Sequence, residues 1–255
     1  MRISIITVCY NASATLLDAV QSVLSQKPRN SDGFSLEYII VDGASTDNSL
    51  DLLKPYQNEI SNIISEPDNG LYDAMNKGIQ AATGDVVGIL NADDVYAHQH
   101  VLSDIAEAFT TQGIEGVYGD LNYVNPNDLS EVVRVWRSGS YSRGKFKWGW
   151  MPPHPALFCK KECYSKWGLF DVTLKSAADY ELMLRFIHKN EMSLNYIPKT
   201  IVLMRAGGVS NASLRHRINA HKEDWKAWRM NGLKPNLFTL LAKPLRKLPQ
   251  FLHKN

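Results

Sequence analysis

Apolar positions alternate between two spacings along the first half of the chain. Ile3-Ser4-Ile5-Ile6-Thr7-Val8 is a short β-branched run ending near Asn11 and predicts a buried strand. Leu16, Leu17, Val20, Val23 and Leu24 follow at helical spacing. Tyr38 to Val41 predicts a second strand, closed by the turn pair Asp42-Gly43. A helix fits Asp47 to Lys54 before Pro55, a third strand Ile60 to Ser65, a helix Leu71 to Ala82, and a fourth strand Val86 to Leu90. Val101 to Phe109 reads as another helix and Val117-Tyr118-Gly119 as a strand. Strands alternating with helices imply crossover connections and an α/β fold, a Rossmann-type, mainly parallel sheet flanked by helices on both faces.

The second half breaks this rhythm. A helix over Asp179 to His188 would bury Tyr180, Met183, Leu184 and Ile187, and Asn195 to Met204 alternates like a strand. Residues 132–150 interleave basic and aromatic side chains and read as an acceptor loop or as a surface loop with tucked aromatic anchors. From Trp225 onward there is no Asp or Glu, while Leu237, Leu241, Leu245, Leu248 and Leu252 share one helical face interrupted by Pro244 and Pro249. Residues 211–255 are therefore expected to form a basic, amphipathic C-terminal helical extension. It would lie on an anionic membrane surface, pack on the domain, or meet a second copy in a homo-oligomer.

Composition narrows the classes. With 44% hydrophobic and 21% charged residues, the chain is globular in type rather than disordered. A net charge of +2, from 28 basic and 26 acidic residues, is too balanced for a surface that tracks nucleic acid. Cys9, Cys159 and Cys163 make no disulfide framework and no completed zinc site, so reduced thiols and a cytoplasmic setting are expected. Neither an export signal nor a run of about 18 apolar residues is visible.

In a parallel α/β sheet, ligands gather beyond the carboxyl ends of the strands. Asn11, Asp42, Glu66, Asp68, Asn69, Asn91, Asp93, Asp94 and Asp120 are predicted there. Converging carboxylates repel one another unless a cation or a donor is present, and a divalent metal held with a phosphorylated ligand resolves this. Asn91-Ala92-Asp93-Asp94 suits that chemistry, although Asp and Asn serve equally as turn and cap residues. No GxGxxG or GxxxxGK[ST] pattern occurs, which disfavours dinucleotide enzymes and P-loop phosphotransferases.

Thr7-Val8-Cys9-Tyr10-Asn11, Val41-Asp42-Gly43-Ala44-Ser45-Thr46-Asp47 and Glu66-Pro67-Asp68-Asn69-Gly70-Leu71-Tyr72-Asp73-Ala74-Met75-Asn76-Lys77-Gly78 stand in an order that resembles family-2 glycosyltransferases. Asn91-Ala92-Asp93-Asp94, Gly168-Leu169-Phe170-Asp171 and Ala178-Asp179-Tyr180-Glu181-Leu182 extend the resemblance to about residue 210, closest to bacterial colanic-acid, capsule and O-antigen enzymes. The resemblance implies a GT-A fold over 1–210, with nucleotide-sugar binding in about 1–120 and the acceptor side in about 121–210. It also implies metal-dependent, inverting transfer from a nucleotide sugar, UDP-linked in the first instance, to a lipid-linked or growing surface polysaccharide. Such an enzyme would sit peripherally on the inner face of the cytoplasmic membrane.

Carried over by position, Asp42 would read the nucleobase, with Thr7 and Asn11 lining the base and ribose pocket. Asp68, Asn69, Asp73, Asn91 and Ala92 would border the ribose, diphosphate or sugar, and His154 and Arg205 would contact the diphosphate or acceptor. Asp94 first and Asp93 second would hold Mn2+ or Mg2+, with Asp93 also on the donor. Asp179 would be the general base, its other reading being a first-turn helix acid. Two departures stand out: Asn91 where the family has an acid, and Ala178 where an acid often precedes the base. They leave room for a non-catalytic nucleotide-sugar or glycan-binding subunit. A nucleotidyltransferase, the other alternative, would offer a Gly-rich basic loop where this chain has Cys9-Tyr10-Asn11.

Overall fold

The computed structural model describes residues 1–29, 33–207 and 214–235, together with 239, 246 and 250. Its first half runs β1 (Arg2–Cys9), α1 (Leu16–Leu24), β2 (Ser35–Asp42), α2 (Ser49–Leu53), β3 (Asn62–Ser65), α3 (Leu71–Ala81), β4 (Val86–Ile89), β5 (Asp94–Tyr96) and α4 (Val101–Ala108). The second half adds β6 (Gly116–Asn125), β7 (Asp128–Trp136), β8 (Leu157–Lys160), α5 (Lys161–Trp167), α6 (Ala178–Met183), β9 (Leu194–Arg205) and α7 (Leu214–Met230). The strands form one sheet in the order β3-β2-β1-β4-β8-β6-β9-β5, with β7 on β6. β1 pairs in parallel with β2 and β4, β2 with β3, and β6 with β9, while β5, β7 and β8 run antiparallel to their neighbours. The expected α/β architecture is present.

Side-chain alternation along β1 explains the two-faced core. Ile3, Ile5 and Cys9 enter a cluster with Leu16, Val20 and Val23 of α1 and Leu102 and Ile105 of α4. Ile6 and Val8 point the other way, into a cluster with Ala74, Met75 and Ile79 of α3 and Leu182 and Met183 of α6. Gly78 lets α3 approach β1 closely, because a Cβ there would fall 2.4 Å from Ile6 Cγ2.

Three expectations change. Gly119 is not a strand end: a Cβ on it would lie 2.8 Å from Ile201 of β9, so it serves close strand packing inside β6. Asp120 is consequently mid-strand and buried, accepting hydrogen bonds from Ser138 N (2.8 Å) and Tyr196 Oη (2.8 Å) rather than facing the carboxyl edge. The basic aromatic segment begins inside β7, and its Phe146 and Trp150 are core residues, leaving Trp148 exposed between them.

The C-terminal extension begins inside the fold. Trp228 of α7 is buried, and its indole N–H donates to Tyr180 Oη at 2.8 Å. Asn231 Nδ2 donates to Glu181 Oε1 at 2.9 Å. The leucine stripe at 237, 241, 245, 248 and 252 lies outside the described residues. Trp228→Ala should therefore cost about 3–5 kcal/mol in chemical denaturation. A loss under about 1 kcal/mol would mean that α7 is a detachable tail rather than a wall of the domain.

Candidate functional site

The carboxyl ends of β1, β2 and β3 are tied together by short polar side chains. Asp42 has no exposed surface. Its carboxylate accepts from the Ser45 hydroxyl and backbone N–H and from Ser65 Oγ (2.8 Å), and Cys9 Sγ approaches it at 3.6 Å. Burial, and then the Asp42 charge, push the Cys9 thiol far above its ordinary pKa, so it stays protonated. Asn11 adopts left-handed backbone (φ 49°), and its Oδ1 accepts from Thr46 N (2.8 Å) and Asp47 N (3.3 Å). Asp47 closes the joint by accepting from Ser13 N (3.0 Å) and Ser49 N (3.0 Å).

These contacts show what the three residues do within the fold. Asp42 orders the 43–46 loop. Asn11 is exposed, and its side-chain oxygen holds that same loop. Thr7 has no exposed surface and accepts from Tyr38 Oη at 3.0 Å.

The turn before α3 borders this joint. Asp68 accepts from Gly70 N at 2.8 Å and lies against Gly43, where a Cβ would come within 2.5 Å of Asp68 Oδ2. Asp73 accepts from Asn69 N at 2.9 Å, a local helix-start contact. Lys77 pairs with Glu66 at 2.8 Å and donates to Pro67 O, so it is a brace of the turn.

Asn91 to Asp94 connects β4 to β5. Asp94 pairs with Met204 of β9, which draws its side chain inward until no surface is exposed. Burial and then the Asp93 charge push its carboxyl well above the usual range. Asn91 Nδ2 donates to Asp94 Oδ2 at 3.1 Å, while Asn91 Oδ1 and Asp94 Oδ1 are buried without a hydrogen-bond partner among the described residues. Asp93 is partly exposed and Asp94 buried, so the two residues expected to hold a cation sit at the surface of this turn and beneath it. Ala92 packs in the core and presents little surface to a ligand. Arg205 is also mostly buried; it donates to Asp93 O (2.8 Å) and Pro126 O (3.2 Å) and pairs with Asp18. It supports the turn, and residues 208–213, which follow soon after it, lie outside the described residues.

The donor chemistry of this turn fits a divalent cation. Its two unpartnered buried atoms are hard oxygen acceptors beside a partly exposed carboxylate. No group of three His, Cys, Asp or Glu side chains converges among the described residues, so phosphate or water oxygens would have to complete the shell.

Asp179 lies on the first turn of α6, partly exposed. Tyr72 Oη of α3 donates to its Oδ1 at 3.1 Å. Tyr72 stacks on Phe170 (5.5 Å), and His154 meets Phe170 edge-on (5.5 Å). Burial lowers the His154 pKa against the opposing pull of Asp179, so the ring beside that acid is neutral at pH 7. Burial raises the Tyr123 phenol, Arg134 opposes this, and the charges of Asp94 and Asp179 raise it further. Tyr72, Tyr123 and Phe170 were not singled out as site residues in the sequence, since nothing in their spacing separates them from core aromatics. Glu181 faces elsewhere and holds Arg185 at 2.8 Å, a structural pair.

The fold is that of a GT-A-like α/β domain, with Asp42, Asp68 and the 91–94 turn at or beyond the carboxyl ends of its parallel strands. The chain belongs to glycosyl transferase family 2, whose sequence profile matches residues 4–160. The uncharacterized glycosyltransferase MT1564 of Mycobacterium tuberculosis is 32% identical over 185 residues, 72% of this chain and 68% of its own. A PGL/p-HBAD biosynthesis glycosyltransferase of Mycobacterium bovis is 27% identical over 214 residues, 82% of this chain and 78% of its own. Among solved structures, S. aureus TarS 1–349 in complex with UDP-GlcNAc matches with TM-score 0.68 at 17% identity, covering 99% of this chain and 72% of that one. The mannosyltransferase PcManGT of Pyrobaculum calidifontis, in complex with GDP-Man and Mn2+, matches with TM-score 0.66 at 18% identity, covering 98% and 72%.

The loop joint predicts a measurable cost. Asn11→Ala removes the acceptor for Thr46 N and puts a Cβ residue without polar compensation in left-handed backbone. Stability should fall by about 1–3 kcal/mol, with a matching loss of nucleotide affinity by calorimetric titration. Unchanged affinity in the destabilised variant would separate the joint from the site.

Proposed function

We propose that this glycosyltransferase moves a sugar from a nucleotide-sugar donor, UDP-linked in the first instance, directly and with inversion to a hydroxyl of a lipid-linked or growing bacterial surface glycan. The observation that carries this reading is the 91–94 turn beyond the carboxyl end of β4, where Asn91 Oδ1 and Asp94 Oδ1 are buried without a hydrogen-bond partner among the described residues, beside the partly exposed Asp93. That turn offers a place for a cation and a charged diphosphate, and Asp179 on the first turn of α6 offers a carboxylate able to take a proton. The complexes of TarS with UDP-GlcNAc and of PcManGT with GDP-Man and Mn2+ support the donor class and the cofactor.

Asp93 would hold Mn2+ or Mg2+, with Asn91 Oδ1 and Asp94 Oδ1 as inner oxygens. Bound there, the metal supplies neutralisation of the charge that grows on the leaving diphosphate. Arg205 and Asn91 keep the turn in place through the Asp93 carbonyl and the Asp94 carboxylate. Asp179 takes the proton of the acceptor hydroxyl as that oxygen attacks the anomeric carbon, and no covalent enzyme intermediate is needed for inversion. His154, neutral and adjacent, adds no positive charge that would weaken the base. No helix among the described residues is long and apolar enough to cross a membrane. The basic 211–255 segment would make contact with the anionic surface that holds a lipid-linked acceptor.

The test is nucleoside diphosphate release from UDP-, GDP- and dTDP-sugars with membrane lipid extract as acceptor, in Mn2+ or in EDTA. Release from one donor should require both metal and extract. Pyrophosphate release instead would mark a nucleotidyltransferase, and binding of every donor without turnover a binding subunit. Asp179→Asn should retain donor binding and lose transfer by a factor on the order of 10²–10⁴; wild-type turnover in it would refute the base. Asp93→Ala should lose metal-dependent donor binding, and normal metal dependence would refute the ligand.

A further inference from the structure

The residue facing Asp179 belongs to the helix that borders the donor side. We infer that Tyr72 is the positioning residue of the general base: its hydroxyl holds Asp179 Oδ1 and leaves Oδ2 aimed to take the acceptor proton. This rests on the reading of Asp179 as the base. The contact spans 107 residues of sequence and is 3.1 Å long. It ties α3 to the first turn of α6 through a single phenol.

Tyr72 is itself held on two sides. Its ring stacks on Phe170 with an interplanar angle of 28°. Phe170 is clamped to α3 by Asn76, whose Nδ2 donates to Phe170 O (2.9 Å) and whose Oδ1 accepts from Phe170 N (2.9 Å). Asn76 is mostly buried and lies on the same helix as Tyr72, so helix, ring stack and base form one rigid frame. Such second-layer support is what keeps a catalytic carboxylate within the narrow geometry that transfer needs.

The frame also reaches the turn that precedes α3. Asp73, next to Tyr72, closes the 69–73 turn, and Lys175 from the acceptor-side loop reaches Asn69 O at 3.4 Å. A donor seated against that turn would settle the helix that aims the base. The groups facing Asp179 are Tyr72 from α3, His154 from the turn before β8 and Tyr123 from β6, while Glu223 of α7 bears on Tyr72. Of these, only Tyr72 donates a hydrogen bond to the Asp179 carboxylate among the described residues.

Tyr72→Phe keeps the stack on Phe170 and removes only the hydroxyl. In single-turnover diphosphate release, with the donor and lipid extract that respond in the panel above, two changes are expected. The plateau rate should fall roughly ten- to hundredfold with donor binding retained. The acid limb of the pH–rate profile should move upward by about one pH unit, because a donated hydrogen bond favours the charged carboxylate and its loss favours the protonated form. A role confined to capping α6 would lower thermal stability and leave the limb in place, and that outcome overturns the inference. Asp179→Asn measured in parallel separates the two readings. If it is inactive while the Tyr72→Phe limb is unmoved, Tyr72 alone is excluded; if it turns over at the wild-type rate, the base assignment fails and this inference falls with it.

Discussion

A carboxylate with no exposed surface, Asp42, joins the ends of three adjacent strands. Parallel pairing sets Cys9 of β1 against Asp42 and Asp42 against Ser65 of β3, so the chain delivers two neighbours to it by register alone. Ser45 supplies the remaining donors from the loop that follows. Leaving such a group unpaired would be costly, and each hydrogen bond to a charged acceptor is worth about 1.5–3 kcal/mol. The loops after β1, β2 and β3 therefore cannot move independently. The position of the Asp68–Asp73 turn, and with it the start of α3, follows from this joint.

From α3 the constraint passes to the other half of the molecule. Gly78 brings the helix hard against β1, and Asn76 grips the backbone of Phe170 in both directions. The segment 168–176 is thus registered on a helix whose own position is set by the strands. α6 emerges from that segment, and α7 covers it, with Glu223 accepting from Lys175 N (3.1 Å) and Ser176 N (2.7 Å). The Asp179 carboxylate is placed by packing and main-chain contacts rather than by a loop of its own.

Much of the fold was legible because its signals are local. The β-branched runs of β1 and β2, the helical stripes of α1 and α3 and the Tyr180-Met183-Leu184-Ile187 face all depend on spacing that tertiary contacts reinforce. The elements missed share a different cause. β5 and β8 are only 3 and 4 residues long and β7 sits on β6 off the main strand path, so their existence depends on partners far along the chain. Gly119 misled because a glycine that ends a strand and one that admits a neighbouring isoleucine look alike in sequence. At the candidate site, position along the chain placed residues on turns and strand ends but carried no direction for their side chains. Thr7, Asp42 and Ala92 are on the expected elements and point inward.

The departure at Asn91 is the sharpest case of what sequence spacing leaves open. An acid was the expected residue there, and its absence suggested a weakened metal clamp. The strand register of β5 changes that reading, because it buries Asp94 against β9 and makes its carboxylate expensive. Asn91 answers with an N–H that an aspartate could not donate. A third carboxylate at position 91 would instead add like charge beside one that burial and Asp93 already disfavour. The neutral residue is thus the one that lets the buried Asp94 stay in place, while its free Oδ1 and the outward Asp93 keep oxygen ligands at the same turn. Loss of an acid at this position is a change in how the turn is held together, and it leaves the oxygen atoms of Asp93, Asp94 and Asn91 together on one turn.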